Sequence, residues 1–72
     1  MDKMKILIRN VNIKCIYSSN NRVHFVYNND SQIVLYFEND TLAEKVITNT
    51  HKNPPVNSFC FMVEDIKRLN NF

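Results

Sequence analysis

The stretch from Arg22 to Glu38, RVHFVYNNDSQIVLYFE, decides the fold. Two apolar-alternating runs flank the polar segment Asn28-Asn29-Asp30-Ser31, the pattern of a β-hairpin. A slip of one residue would turn every side chain to the wrong face, so the side chains fix the phase. Pairing Tyr27 with Ile33 sets Phe25 opposite Leu35 and Val23 opposite Phe37, an entirely apolar face. The same register sets Val26 beside Val34, His24 beside Tyr36 and Arg22 beside Glu38, a cross-strand ion pair, on the reverse face. An even-numbered loop would split Phe25 from Ile33. The expected connection is therefore odd-numbered and spans Asn28 to Gln32. The chain has no glycine, so Asn or Asp must take any left-handed backbone position.

Upstream, Met4, Ile6 and Ile8 fall on even positions, whereas Val11, Ile13, Cys15 and Tyr17 fall on odd ones. The phase must shift near Arg9-Asn10, through a β-bulge in one bent strand or a break between two short strands. Ser18 to Asn21 form the turn into the hairpin. Outward positions before it, Lys3, Lys5, Arg9, Asn12 and Lys14, make a basic ridge interrupted by Leu7.

Downstream of Glu38 the period becomes helical. Thr41 and Glu44 have capping-box spacing, with Asn39 or Asp40 as alternative caps. Leu42, Ala43, Val46, Ile47 and Thr50 form the stripe expected to cover the apolar sheet face. His51 and Lys52 suit the helix C-terminus, and Pro54-Pro55 stop it. Ser58 to Glu64 reads as a last strand, with Phe59, Phe61 and Val63 inward and Cys60, Met62 and Glu64 outward. Asp65 then caps a short helical tail carrying Ile66, Leu69 and Phe72 on one side. The expectation is one α+β domain over residues 1–72. It has a mainly antiparallel sheet of about four strands in βββαβ order, a helix on one face and a short C-terminal helix. The long connection through the helix also permits a parallel crossover and a mixed sheet.

At 72 residues the core is small, and oligomerisation or partner binding would add stability. Net charge is +2, with 44% apolar and 22% charged residues, an ordinary globular balance. Charge is uneven along the chain: five basic and one acidic residues over 1–22, four acidic and none basic over 23–44, and four basic and two acidic over 45–72. The apolar run in residues 1–10 is very short, so neither a signal peptide nor a membrane span is expected there, and Cys15 and Cys60 are expected to face opposite ways without CxxC spacing. A reducing cytoplasm is the expected compartment. The abundance of asparagine, isoleucine and lysine suits an AT-rich coding sequence, as in a low-GC bacterium or its phage.

Several constellations bear on chemistry. His24 and His51 have the acid–base capability of a small nuclease, but no orienting group or nucleophile accompanies them. Cys15, Cys60, His24 and His51 are competent metal ligands without the close spacing of a zinc site. Asp30, Glu38, Asp40 and Glu44 suit a cation or a basic partner, and equally a solvated loop and helix start. Absence of glycine removes phosphate-cradling loops and nucleophile elbows. No catalytic residue, cofactor, metal, membrane or small-molecule substrate is expected.

Two binding surfaces are expected instead. Once the helix covers one sheet face, the reverse face presents Ile16, His24, Val26, Val34, Tyr36 and Met62, with Cys60 alongside. Such a patch requires cover from the tail, a second copy or a heterologous protein. It implies a non-enzymatic module, a stoichiometric inhibitor or regulator of a larger protein machine. Small phage-encoded antagonists of bacterial defence, anti-CRISPR proteins among them, are one class of such chains. The alternative is a small nucleic-acid-binding regulator using Lys3, Lys5, Arg9, Lys14 and Arg22, with Tyr36 or His24 stacking on bases. Edge-strand lysines also simply discourage sheet aggregation, and the glycine-containing aromatic motif of RNA-recognition sheets is absent.

Overall fold

The central hairpin forms in the expected phase but in a register two residues tighter. The computed structural model describes residues 4–72. Strand β3 (Arg22–Tyr27) pairs antiparallel with β4 (Gln32–Tyr36), setting Val23 opposite Leu35 and Phe25 opposite Ile33. On the reverse face Arg22 lies opposite Tyr36, His24 opposite Val34 and Val26 opposite Gln32. The Tyr27 amide donates to the Ser31 carbonyl and the Asp30 amide to the Tyr27 carbonyl, both at 2.9 Å. The loop is therefore Asn28-Asn29-Asp30, odd-numbered but shorter than Asn28 to Gln32.

Asp30 takes the left-handed position at φ 69°, as the third residue of such a loop commonly does. Asn29 Oδ1 accepts from the Ser31 amide at 3.1 Å and the Ser31 hydroxyl at 2.7 Å, closing the turn early enough for Gln32 to join the strand. A two-residue slip leaves every side chain on its face, because the strand period is two. It does remove the expected Arg22–Glu38 pair: Glu38 meets Lys67 at 3.8 Å instead.

The phase break upstream separates two strands, β1 (Lys5–Arg9) and β2 (Ile13–Ser19). Between them Asn12 adopts φ 65°, and its carbonyl accepts the Asn28 amide at 2.8 Å. No bulge is needed at Arg9-Asn10. One occurs at Lys14 instead, where the β2–β3 register jumps from Ile13–Tyr27 to Cys15–Val26. The extra residue reverses the phase. Ile16 consequently packs against the core with Ile13, while Cys15 and Tyr17 turn outward and are exposed.

The chain re-enters β3 through Asn20-Asn21, with Asn20 at φ 57°. Helix α1 (Asp40–Lys52) is capped by Asn39, whose Oδ1 accepts the Leu42 amide at 3.0 Å. No Thr41–Glu44 capping box forms. Ala43 is fully buried, and Val46 and Ile47 pack on the core, while Leu42 stays at the margin, 40% exposed. Strand β5 (Ser58–Met62) pairs antiparallel with β1 and buries Phe59.

The last segment departs most from expectation. Val63–Asp65 make a single 3-10 turn, and Arg68–Asn71 form strand β6 along the free edge of β4. The short tail is drawn into the ladder because β4 otherwise leaves unpaired backbone groups at an edge.

The result is an α+β fold with, among the described residues, six strands in two antiparallel sheets. The larger sheet runs β2-β3-β4-β6, and β1-β5 form a two-stranded ribbon. Every pairing is antiparallel, so the permitted mixed sheet does not occur. One face of the larger sheet meets helix α1 and the ribbon around Val23, Phe25, Leu35, Ile8 and Phe59. Phe25 anchors this core, its ring 5.2 Å from Phe59 and 5.9 Å from Phe61. Among the described residues no helix is long and apolar enough to cross a membrane.

Candidate functional site

The larger sheet is left with one face that neither helix nor ribbon covers. The strand registers arrange this face in rows. Arg22, Tyr36 and Arg68 form one row across β3, β4 and β6, and Tyr17, His24, Val34 and Asn70 form the next from β2 to β6. Cys15, Val26 and Gln32 make the third, which Phe72 extends by exchanging backbone hydrogen bonds with Gln32.

The centre of this face is sealed by the chain itself. Val34 is only 1% exposed. On one side of it His24 Nδ1 lies 3.0 Å from Gln32 Oε1, and with that oxygen accepting, Nδ1 carries the proton. On the other side Asn70 Nδ2 donates to the Tyr36 hydroxyl at 3.3 Å. Two diagonal polar clamps thus bracket the one fully buried aliphatic residue of the face, which is no open greasy platform.

Rings and cations stand above that layer. Tyr17 stacks flat on His24, with centroids 4.4 Å apart and planes 6° apart. The guanidinium carbons of Arg22 and Arg68 lie 5.9 and 5.2 Å from the Tyr36 centroid, a cation–π arrangement. Arg22 Nε is buried without a hydrogen-bond partner, and no carboxylate bridges either arginine among the described residues. The acidic side chains at the margins are engaged elsewhere, Asp30 by Lys14 at 3.1 Å and Glu38 by Lys67.

Of the residues expected to bind a protein partner, His24, Val26, Val34 and Tyr36 share this face. Ile16 does not, because the Lys14 bulge turns it to the core. Met62 belongs to the ribbon and lines an open groove with Phe37, Leu42, Val46 and Phe61. Phe72, 69% exposed, is the most exposed apolar side chain at the margin of the candidate face, whereas Leu7 at 65% and Val56 at 91% lie away from it.

The basic ridge is likewise dispersed. Lys3 lies outside the described residues. Lys5 and Arg9 are exposed on β1 in the other layer, Lys14 is paired with Asp30, and only Arg22 reaches the candidate face. His24 and His51 lie on opposite sides of the larger sheet, the latter exposed at the end of α1. Cys15 and Cys60 are free, exposed and on different sheets. Among the described residues no group of three or more His, Cys, Asp or Glu is placed to hold a metal.

Tyr17 and Arg68 escaped the sequence reading. The odd phase of β2 assigned Tyr17 to the core, and Arg68 sat in a segment read as helix. Only the cross-strand partners His24 and Tyr36 reveal their places. No protein-family model, curated protein or solved structure matches this chain.

Proposed function

We propose that this protein is a non-enzymatic binding module, an inhibitor or regulator that acts by occupying a surface on a larger machine. The observation that carries the reading is the open face of the β2-β3-β4-β6 sheet, which displays Tyr17, His24, Arg22, Tyr36 and Arg68 outside the core. Tyrosine and arginine dominate binding energy at macromolecular interfaces, since each offers a large rigid surface together with directed polar contacts. Antagonism of a bacterial defence machine, as phage-encoded proteins practise it, requires no more than such a surface. Two exposed free thiols on separate sheets suit the reducing cytoplasm.

The test is stoichiometric co-purification with tagged wild type, an Arg22→Glu/Arg68→Glu variant and a Lys5→Glu/Arg9→Glu control. Recovery of a defined partner that the first variant loses and the control keeps supports the reading. Recovery insensitive to the face variant overturns it.

A further inference from the structure

We infer that the ligand of the open sheet face is single-stranded nucleic acid, an inference that rests on the proposal that this face is the working surface. Three observations carry it. The Tyr17–His24 pair presents a flat surface, with Tyr17 43% exposed and the two planes within 6°. A base can extend that stack. One row away stand Arg22 and Arg68, one on each flank of Tyr36. Rows along a strand are about 7 Å apart and neighbouring strands about 4.8 Å, so a base on the ring pair leaves its own backbone within reach of Arg22, while Arg68, three strands from Tyr17, meets a phosphate further along the same chain. No side chain of the assigned rows is a carboxylate, and the acids at their margins, Asp30 and Glu38, are engaged by Lys14 and Lys67.

Arg22 Nε is buried without a partner and Arg68 Nε donates to the neutral Asn70 Oδ1 at 3.3 Å, so no carboxylate neutralises either guanidinium and the two charges are left for an external anion at their outer nitrogens. Planar guanidinium suits phosphate because its donors form a fixed fork. Tyr36 acts as a positioning residue, its ring between the two arginines and its hydroxyl held by Asn70. A duplex keeps its base faces stacked and offers the ring pair nothing, whereas a single strand supplies phosphate and free π-face together. An acidic peptide would satisfy the arginines but not the stacked rings.

The experiment is fluorescence anisotropy with labelled oligothymidylate and oligouridylate, against a duplex of equal length, beginning at low salt. The expected result is binding of single strands in preference to duplex. Tyr17→Ala should weaken it roughly 5- to 150-fold, the range for loss of one stacking side chain. With two phosphates held, log affinity should fall against log salt with a slope of about −1.4, and Arg68→Ala should reduce that slope by about 0.7. Tyr36→Phe should retain most affinity and Tyr36→Leu should lose it. Circular dichroism confirms that each variant is folded, and Lys5→Ala/Arg9→Ala should bind as wild type.

No single-strand binding at low salt, or equal weakening by the Lys5/Arg9 control, overturns the inference. A co-purified partner lost on Arg22→Glu/Arg68→Glu, with no oligonucleotide binding, identifies an acidic protein as the ligand and leaves the binding-module reading standing. Partner recovery and oligonucleotide binding that both ignore the face variants overturn both.

Discussion

Tyr17 lies flat against His24 across the β2–β3 ladder, the two rings almost parallel and 4.4 Å apart. The contact exists only because the bulge at Lys14 turns Tyr17 away from the core. A double-mutant cycle with Tyr17→Ala and His24→Ala should return a coupling of about 0.5–1.5 kcal/mol, the value of an aromatic pair beyond its area. Urea unfolding at constant m-value measures it. Additive single effects would show that the stack contributes nothing to stability.

Phe25 holds the two layers together, fully buried with its ring against Phe59 and Phe61. Phe25→Ala should destabilise by about 3–5 kcal/mol through lost transfer energy and a residual cavity. A chain of this length has about 4–11 kcal/mol in total. Thermal melting should therefore show the variant largely unfolded or with a greatly lowered midpoint. A melt close to wild type would mean that the layers do not depend on this ring.

The start of α1 separates two capping schemes. Asn39 supplies the side-chain oxygen to Leu42, so Asn39→Ala should cost about 0.5–2 kcal/mol. Thr41→Ala should stay within about 0.5 kcal/mol, as for an exposed surface position. The reverse order in chemical denaturation would restore the capping box.

Asp30 stands at φ 69° in the hairpin loop. Asp30→Ala should destabilise by about 1 kcal/mol, because alanine keeps the Cβ that crowds the following carbonyl in the left-handed region but loses the short polar side chain that lets aspartate offset the crowding. Asp30→Gly should be neutral or stabilising. The lost Lys14 bridge is exposed on both sides and contributes at most about 1 kcal/mol. Equal behaviour of the two variants in thermal melts would remove the backbone argument.

Alternation and helical period make much of this fold legible. They place Val23, Phe25, Ile33 and Leu35 on one face, Ala43, Val46 and Ile47 on the helix stripe, and Phe59 inward from β5. What they miss depends on backbone detail or on distant partners. A turn closed by the Asn29 side chain shifts the hairpin register without altering its faces. One bulged residue at Lys14 exchanges Ile16 for Cys15 and Tyr17. In the tail, the three-residue spacing of Ile66, Leu69 and Phe72 imitates a helix, while the nearby edge of β4 determines the outcome. Local propensity yields to such tertiary pairing. The candidate face is consequently half visible in the sequence: His24, Val26, Val34 and Tyr36 follow from the hairpin, but Tyr17 and Arg68 depend on the neighbouring strands.

The ribbon that pairs Lys5 with Met62 has a kinetic consequence. Strands β2, β3 and β4 are joined by tight turns, and hairpins of this kind close in about 1–10 μs. The ribbon joins segments far apart in sequence and must wait for the meander and helix to bring them near, so the closure entropy is paid late. Folding should be limited by this distant docking step, in the millisecond-to-second range typical of non-local strand pairing.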